Sequence, residues 1–220
     1  MKFFLDSAKT DDIEYALEMW NIDGVTTNPR HVQVSGKPFL KVINEIATIF
    51  DGTDKPISVE VNPHLDDWKT MVAEGKKLSA MSPNFVIKLP ATEPGFKAVF
   101  ELADQGIRSN LTLVFSAAQA LQAMRMGAAF VSPFIGWKES NGEEITHFVD
   151  EVAAIRDVYG FETEIIVAAA RNARQIVNSA VVGADIVTAG MPVFQDAFAH
   201  PYTDVGLAKF QSFWDETPYE

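Results

Sequence analysis

The sequence predicts a single (β/α)8 barrel with an additional C-terminal helix. Eight short apolar runs alternate with helical patterns, and alternation of this kind implies a parallel sheet. The runs are continuously apolar, which indicates strands buried on both faces. With 220 residues and no Ser/Gly-rich linker or charge block, the chain is long enough for one sizeable core and is expected to form one domain, residues 1–220.

In the first four strand–helix pairs, a short apolar run leads through a polar, glycine or proline turn into a helical pattern. The pairs are residues 3–5 with 10–20, 24–25 with 39–50, 57–61 with 65–80, and 85–89 with 95–104. These segments are expected to form the first half of the barrel.

The second half repeats the pattern and adds one helix. Its pairs are residues 110–114 with 117–126, 130–131 with 146–159, 165–168 with 173–182, and 186–187 with 193–198. A ninth helical pattern covers residues 205–214, within a helix of about residues 203–216, and carries Phe210, Phe213 and Trp214. These aromatic residues fit either packing across the outside of the barrel or a contact with a neighbouring subunit.

Composition limits the classes of partner and of chemistry. The formal net charge of −12 argues against nucleic acid and anionic membranes as partners, because neither is attracted to an acidic surface. The absence of cysteine excludes disulfides, thiolate nucleophiles and cysteine metal sites. The N-terminal apolar run is too short for a signal peptide, and no segment approaches membrane-spanning length, so a cytoplasmic location is expected.

Most of the predicted strands deliver a polar residue to their C-terminal end, which is where (β/α)8 barrels place catalytic groups. These residues are Asp6, Thr26, Thr27, Asn28, Glu60, Asn62, Lys88, Asn110, Thr112, Ser132, Arg171 and Thr188.

Lys88 is the most unusual of them, because it alone of the twelve lysines lies inside an apolar strand pattern, "FVIKLP". Burial disfavours the charged ammonium form, and a neutral amine can attack a carbonyl to form a Schiff base. The alternative is a structural ion pair with Asp6 or Glu60, which the residues alone leave open.

Asp6 ends the first predicted strand and Glu60 lies within the third, in "SVEV". Each alone is more often a helix cap or a structural acceptor, but together with Lys88 they provide what an aldol reaction needs. A carboxylate exchanges the hydroxyl proton when the carbon–carbon bond breaks, and a second carboxylate serves the dehydration steps. Thr112 is a candidate to hold a water against Glu60. The four histidines, at positions 31, 64, 147 and 200, show no ligand spacing, so neither a metal nor another cofactor is expected.

Five motifs, in order along the chain, resemble those of a known family. "FFLDSA", "DGVTTNP", "FVIKLPAT", "SNLTLVFSAAQA" and "FVSPFIGW" are similar to the successive motifs of the transaldolase and fructose-6-phosphate aldolase family, particularly its small branch. The match spans strands one to six and so covers most of the chain.

The resemblance implies a role for each matching residue. Lys88 corresponds to the Schiff-base lysine, Asp6 to the acid/base aspartate, and Glu60 with Thr112 to the pair that holds the catalytic water. The residues implied to bind the hydroxyls of the three-carbon unit are Thr27, Asn28, Asn110 and Ser132. Family members act on small sugar substrates, and the small ones assemble as ring-like homo-oligomers such as decamers, with the C-terminal helix reaching a neighbour.

Two positions separate the family's transaldolases from its aldolases. The aldolases carry glutamine where this chain has Glu60, and tyrosine where it has Phe134. A tyrosine hydroxyl in this place would help to protonate the enamine and end the reaction in hydrolysis. The chain therefore resembles the enzymes that transfer the unit to an acceptor.

The family's phosphate site is altered. An arginine is replaced by Trp137 and a serine by Ala169, so two phosphate donors are missing. Lys138 and Arg171 are the neighbouring candidates to replace them. A planar guanidinium binds phosphate through two donors, so its loss is not neutral.

"TTNPRH" places Arg30 and His31 at the start of the second βα loop, which the sequence predicts as a long loop on the catalytic rim. They are expected to form a rebuilt anion site with Trp137, although a surface arginine is the alternative for Arg30. "TTNPRH" with "SPFIGWK" also resembles the sulfofructose transaldolases, and a singly charged sulfonate would suit such a site.

The sequence thus predicts a metal-independent class I transaldolase. It would move a dihydroxyacetone unit from 6-deoxy-6-sulfofructose to an aldehyde such as glyceraldehyde 3-phosphate and release sulfolactaldehyde. Two alternatives stay open: action on ordinary sugar phosphates, by transfer or by aldol cleavage, and a catalytically silent barrel that binds an anionic sugar.

Overall fold

Eight parallel strands close into a barrel in the computed structural model, which describes all 220 residues. The strands follow one another in chain order, and the last pairs with the first. They are β1 (Lys2–Asp6), β2 (Gly24–Thr26), β3 (Ile57–Glu60), β4 (Phe85–Pro90), β5 (Ser109–Val114), β6 (Phe130–Pro133), β7 (Glu164–Ala170) and β8 (Ile186–Ala189). The predicted fold class is confirmed.

Eleven helices accompany the strands, one main helix after each strand and three more. The eight that follow β1 to β8 as their main helices are α1 (Thr10–Trp20), α3 (Phe39–Ile49), α4 (Trp68–Ser79), α5 (Glu93–Ala103), α6 (Ala117–Arg125), α8 (Thr146–Tyr159), α9 (Ala173–Val181) and α10 (Met191–Phe198). The additional helices are α2 (Pro29–Ser35), α7 (Ile135–Ser140) and α11 (Pro201–Asp215).

The strands separate an outer apolar core from the barrel interior, which contains a smaller apolar cluster and a polar layer. Side chains alternate between the two faces of a strand, and the outward ones pack with the helices in a cluster of 42 buried residues. Inside the barrel lies a smaller apolar cluster, made of Phe4, Val86, Phe130, Ile166 and Ile186.

The polar layer follows from the same alternation. Two residues further along four of these strands, on the same inward face, come Asp6, Lys88, Ser132 and Thr188. The apolar cluster therefore closes the floor of the barrel, and the polar residues lie above it at the C-terminal ends of the strands.

The loop after β2 is where the structure departs most from the sequence prediction. Residues Pro29–Ser35 form α2, whereas a long loop was predicted. Asn28 is its N-cap, with its side chain accepting a hydrogen bond from the backbone N–H of His31, and Pro29 occupies the first helical position. Asn followed by Pro is a favoured start for a helix, so the signal was present in "TTNPRH".

A second helix, α7, was also missed, and it begins directly after β6. Gly136 lies in its first turn, where a Cβ atom would come within 2.2 Å of the carbonyl oxygen of Ala169. Ala169 itself adopts a left-handed conformation with φ 59°. Only glycine permits this close approach of α7 to β7, which places Trp137 at the rim.

The C-terminal helix α11 is confirmed, but it buries no residue. Phe210 is 70% exposed, and Phe213 and Trp214 are each 64% exposed, so these rings do not pack on the barrel. Of the two readings of this aromatic segment, the contact with a neighbouring subunit stays a prediction. None of the helices combines the length and apolar character needed to cross a membrane.

Candidate active site

Three polar residues lie side by side across neighbouring strands at the centre of the polar layer. Glu60 is in register with Lys88, and Lys88 is in register with Asn110. Residues in register in a parallel sheet project to the same face. The strand pairing thus brings a carboxylate, an amine and an amide together inside the barrel.

Lys88 is held by two partners, Glu60 on the neighbouring strand β3 and Thr27 directly after β2. Its side chain is only 5% exposed, and Nζ lies 3.2 Å from Oε2 of Glu60. Nζ also donates to the backbone carbonyl oxygen of Thr27 at 3.0 Å. An ammonium group has three donors, so one direction remains for a substrate. The ion pair that the sequence left open therefore exists, and it forms with Glu60.

The carboxylate of Asp6 accepts a hydrogen bond on each oxygen. Thr26 Oγ1 donates to Oδ1 at 2.8 Å, and Nε2 of His31 lies 3.0 Å from Oδ2. Burial raises the pKa of Asp6, but the hydrogen bond and charge of His31, then the charge of Lys88 and the Thr26 hydroxyl, hold the pKa below its ordinary value of 3.8. Asp6 is therefore ionised near neutral pH and is available as a base.

The remaining predicted polar residues lie on β5 and β6. Ser132 Oγ donates to Asn110 Oδ1 at 2.7 Å, and Asn110 Nδ2 donates to Ser58 Oγ at 3.1 Å. Thr112 differs, because its Oγ1 is buried without a hydrogen-bond partner. A buried hydroxyl in this condition is costly unless a water or ligand bonds to it.

A cavity of about 410 Å³ opens beside the ion pair on the side of β2 and β3. Thr27, Asn28 and Glu60 line it, together with Asn62 and Phe39. Glu60 therefore borders both the cavity and the amine. No three His, Asp or Glu side chains in the chain gather closely enough to hold a metal ion.

Three aromatic rings form a wall on the opposite side, at the ends of β5 and β6. The ring of Phe115 lies 5.8 Å from Phe134 and 5.9 Å from Trp137, and Phe134 lies 5.7 Å from Trp137. The rings are tilted, stacked and edge-on, which are favourable arrangements. Trp137 is 51% exposed and forms the outer edge of this wall.

Residues 3–217 match the family model described as transaldolase/fructose-6-phosphate aldolase. The chain belongs to this family. It is 56% identical over 221 residues to proteins named 6-deoxy-6-sulfo-D-fructose transaldolase from Priestia aryabhattai and Priestia megaterium, covering 100% of this chain and 98% of each relative. It is also 42% identical over 218 residues to a protein named probable transaldolase from Aquifex aeolicus, covering 99% of this chain and 98% of that relative.

For this transaldolase-family barrel, the structure brings together the residues predicted for chemistry, whereas two of the cations predicted for the anion site already have other partners. Lys138 forms an ion pair with Glu143, and its Nζ lies 3.3 Å from the carbonyl oxygen of Phe115. Arg171 is exposed, and its guanidinium donates to Ser140. Both cations are already engaged, so binding an anion would require them to give up partners.

Of the two predicted anion ligands on α2, only one is free. Arg30 is exposed and takes part in none of the ion pairs of the chain. His31 instead directs Nε2 to the carboxylate of Asp6. Its position in an anion site stays a prediction.

Sequence reasoning missed three contributors to the site. Thr26 was noted at the rim without a role, and it binds both Asp6 and, at 2.6 Å, Thr188. Ser58 supports Asn110, and Phe115 completes the aromatic wall. Strand alternation places Ser58 on the inward face two residues before Glu60, so Ser58 could have been predicted from the sequence.

Proposed function

We propose that this protein is a class I transaldolase that moves a dihydroxyacetone unit from 6-deoxy-6-sulfofructose to an aldehyde such as glyceraldehyde 3-phosphate. The observation that carries the proposal is the buried amine of Lys88, held 3.2 Å from a carboxylate at the catalytic end of the barrel. The released product is sulfolactaldehyde.

The first step joins the ketone carbon C2 of the donor to Nζ of Lys88. Nζ must be neutral to attack, and Glu60 is placed to take its proton. Loss of the hydroxyl from the carbinolamine needs an acid, and Glu60 then returns the proton through a water. The unpartnered hydroxyl of Thr112 supports its role as the group that binds this water.

In the second step the C3–C4 bond breaks. Asp6 removes the proton of the C4 hydroxyl, the C4 aldehyde leaves, and the bonding electrons form an enamine on Lys88. The three-carbon unit stays attached, and its hydroxyls would bind Asn110, Ser132, Thr27 and Asn28. Ser132 and Asn110 are already hydrogen-bonded to each other, which supports an ordered polar surface for this unit.

The third step is addition to the acceptor, which competes with protonation of the enamine. Phe134 offers no hydroxyl, and with Phe115 and Trp137 it forms an apolar wall. An apolar wall excludes water and proton donors from the carbanion-like carbon. This favours transfer over release of free dihydroxyacetone.

The sulfonate specificity rests on the relatives from Priestia and on the two replaced phosphate donors. At 56% identity over the full length, the chain is similar to proteins named for sulfofructose. Arg30 supplies a free guanidinium on α2, and the Trp137 indole adds one N–H donor. A single guanidinium suits the single charge of a sulfonate better than a phosphate dianion.

The donor is tested by comparing kcat/KM for sulfofructose and fructose 6-phosphate with one acceptor. The proposal predicts a preference for sulfofructose of at least about 10-fold, or about 1.4 kcal/mol. Arg30→Ala should lower kcat/KM for sulfofructose far more than for neutral fructose. Arg125→Ala, which removes an exposed guanidinium bonded only to Gln122 on α6, should change neither value.

A strong preference for fructose 6-phosphate would replace the sulfosugar with an ordinary sugar phosphate. No turnover of either ketose by the intact protein would favour the silent sugar-binding barrel and overturn the proposal.

A further inference from the structure

His31 lies against the carboxylate of Asp6. The N-cap of α2 fixes its backbone, because the His31 N–H donates to Asn28 Oδ1 at 3.0 Å. From this first turn the imidazole reaches the end of β1, where Nε2 is 3.0 Å from Asp6 Oδ2. The side chains are 27% and 21% exposed, so the contact is largely shielded from solvent.

The second oxygen of Asp6 is held from the other side. Thr26 Oγ1 donates to Oδ1 at 2.8 Å and is itself 2.6 Å from Thr188 Oγ1. Donors on both oxygens prevent the carboxylate from rotating about its Cβ–Cγ bond. A carboxylate has about four lone-pair sites, so acceptor positions remain on Asp6 for a substrate hydroxyl.

We propose that His31 is a positioning residue for Asp6, which holds Oδ2 so that the carboxylate meets the C4 hydroxyl of the donor in a reactive orientation. This rests on the proposed function above. In the step concerned, the O–H bond of the C4 hydroxyl and the C3–C4 bond break. The proton goes to Asp6, the C4=O bond forms, and the C3–C4 electrons pass into the enamine on Lys88. His31 keeps its Nε2 proton throughout.

The surroundings leave His31 as the principal donor to this oxygen. A cavity of about 160 Å³ is lined by Asp6 and His31, and its other charged residues are Lys9 and Asp12. Asp12 Oδ2 accepts a hydrogen bond from Ser7, and neither charged residue forms an ion pair with Asp6. The residues from beyond β8 that line the cavity, Gly190, Met191 and Pro192, carry no charge.

This role predicts a different mutant phenotype from that of an anion ligand. An anion ligand acts on anionic donors alone and mainly on KM, because the contact exists before and during the reaction. A residue that orients the base acts on every donor, and it acts on kcat, because the base works only in the transition state.

The test uses His31→Leu, His31→Gln and, as a matched control, His147→Leu, which alters an exposed histidine on α8. Each is assayed with sulfofructose and with fructose. His31→Leu should lower kcat about 10²-fold for both ketoses, the loss expected for a displaced base. Gln places its amide N–H where Nε2 stands, so His31→Gln should recover kcat to within about 10-fold of the original protein. His147→Leu should be unchanged.

A second readout separates positioning from a merely structural role. Borohydride added during turnover of sulfofructose without acceptor should trap a three-carbon adduct on Lys88 in the original protein. In His31→Leu, Schiff-base formation at Lys88, with Glu60 transferring the proton, persists while cleavage slows, so a six-carbon adduct should accumulate on Lys88.

Two outcomes would overturn the role of His31. One is a raised KM for sulfofructose alone with kcat unchanged, and the other is a three-carbon adduct in His31→Leu at the original rate. Either leaves the Schiff base intact, whereas the absence of any Lys88 adduct in the original protein would remove the proposed function itself.

Discussion

Glu60→Gln tests whether the buried amine depends on its carboxylate partner. The Lys88 side chain is 5% exposed and that of Glu60 14% exposed, and their charged atoms are 3.2 Å apart. At an effective dielectric constant of 20, the attraction at this distance is about 5 kcal/mol. Removing one partner of a buried pair typically costs about 3–5 kcal/mol, because the other charge is left uncompensated. In Glu60→Gln, Nζ would keep only uncharged acceptors, the Thr27 carbonyl and the side-chain amide oxygen at position 60.

Thermal unfolding and urea unfolding measure this cost. For a chain of about this size each kcal/mol shifts Tm by roughly 2–4 °C, so Glu60→Gln should lower Tm by about 6–20 °C. The double variant Lys88→Met with Glu60→Gln removes both charges with little change of volume. It should be more stable than Glu60→Gln alone and lie within about 1 kcal/mol of the original protein.

If Glu60→Gln unfolds within about 2 °C of the original protein and the double variant is the less stable of the two, Lys88 is held by groups other than Glu60. Glu60 would then also be a poor candidate for the group that takes the proton of Nζ.

Two further predictions concern the enamine and the base. Phe134→Tyr should raise release of free dihydroxyacetone relative to transfer by about 10-fold or more, because the phenol adds a proton donor near the enamine. The control Phe100→Tyr, at an exposed position on α5, should leave this ratio unchanged. An unchanged ratio in Phe134→Tyr would contradict the role of the aromatic wall. His31, Lys88 and Thr26 lower the pKa of Asp6 in the folded protein, against the effect of burial. The Asp6 carboxylate therefore stabilises the fold at pH values above its ordinary pKa. This stabilisation is lost as the pH falls through the lower pKa of the folded state. The free energy of urea unfolding of the original protein, relative to Asp6→Asn, should therefore be largest near neutral pH and decrease in acid; a difference independent of pH would show that Asp6 is not stabilised as an anion.

The sequence predicts the barrel and its polar layer well, because both follow from strand periodicity. Phe4 and Asp6, or Val86 and Lys88, lie two residues apart on one strand and must share a face. Once the strands are placed, the meeting of Lys88 with Glu60 follows from parallel register.

Strand periodicity does not predict the contacts made by loops and by the additional helices. The pairing of His31 with Asp6 depends on α2, which was predicted as a loop although Asn28 and Pro29 carry the start signal. The engagement of Lys138 with Glu143, and of Arg171 with Ser140, depends on side-chain reach around α7. No spacing rule in the sequence describes such contacts.

The central claim is that Lys88 forms the covalent intermediate. Borohydride reduction during turnover of sulfofructose, followed by mass spectrometry of the digested protein, tests it most directly. The account predicts one reduced dihydroxyacetone adduct, on the peptide that contains Lys88, and none in Lys88→Met. An active protein that yields no adduct, or an adduct on another of the twelve lysines, would contradict it.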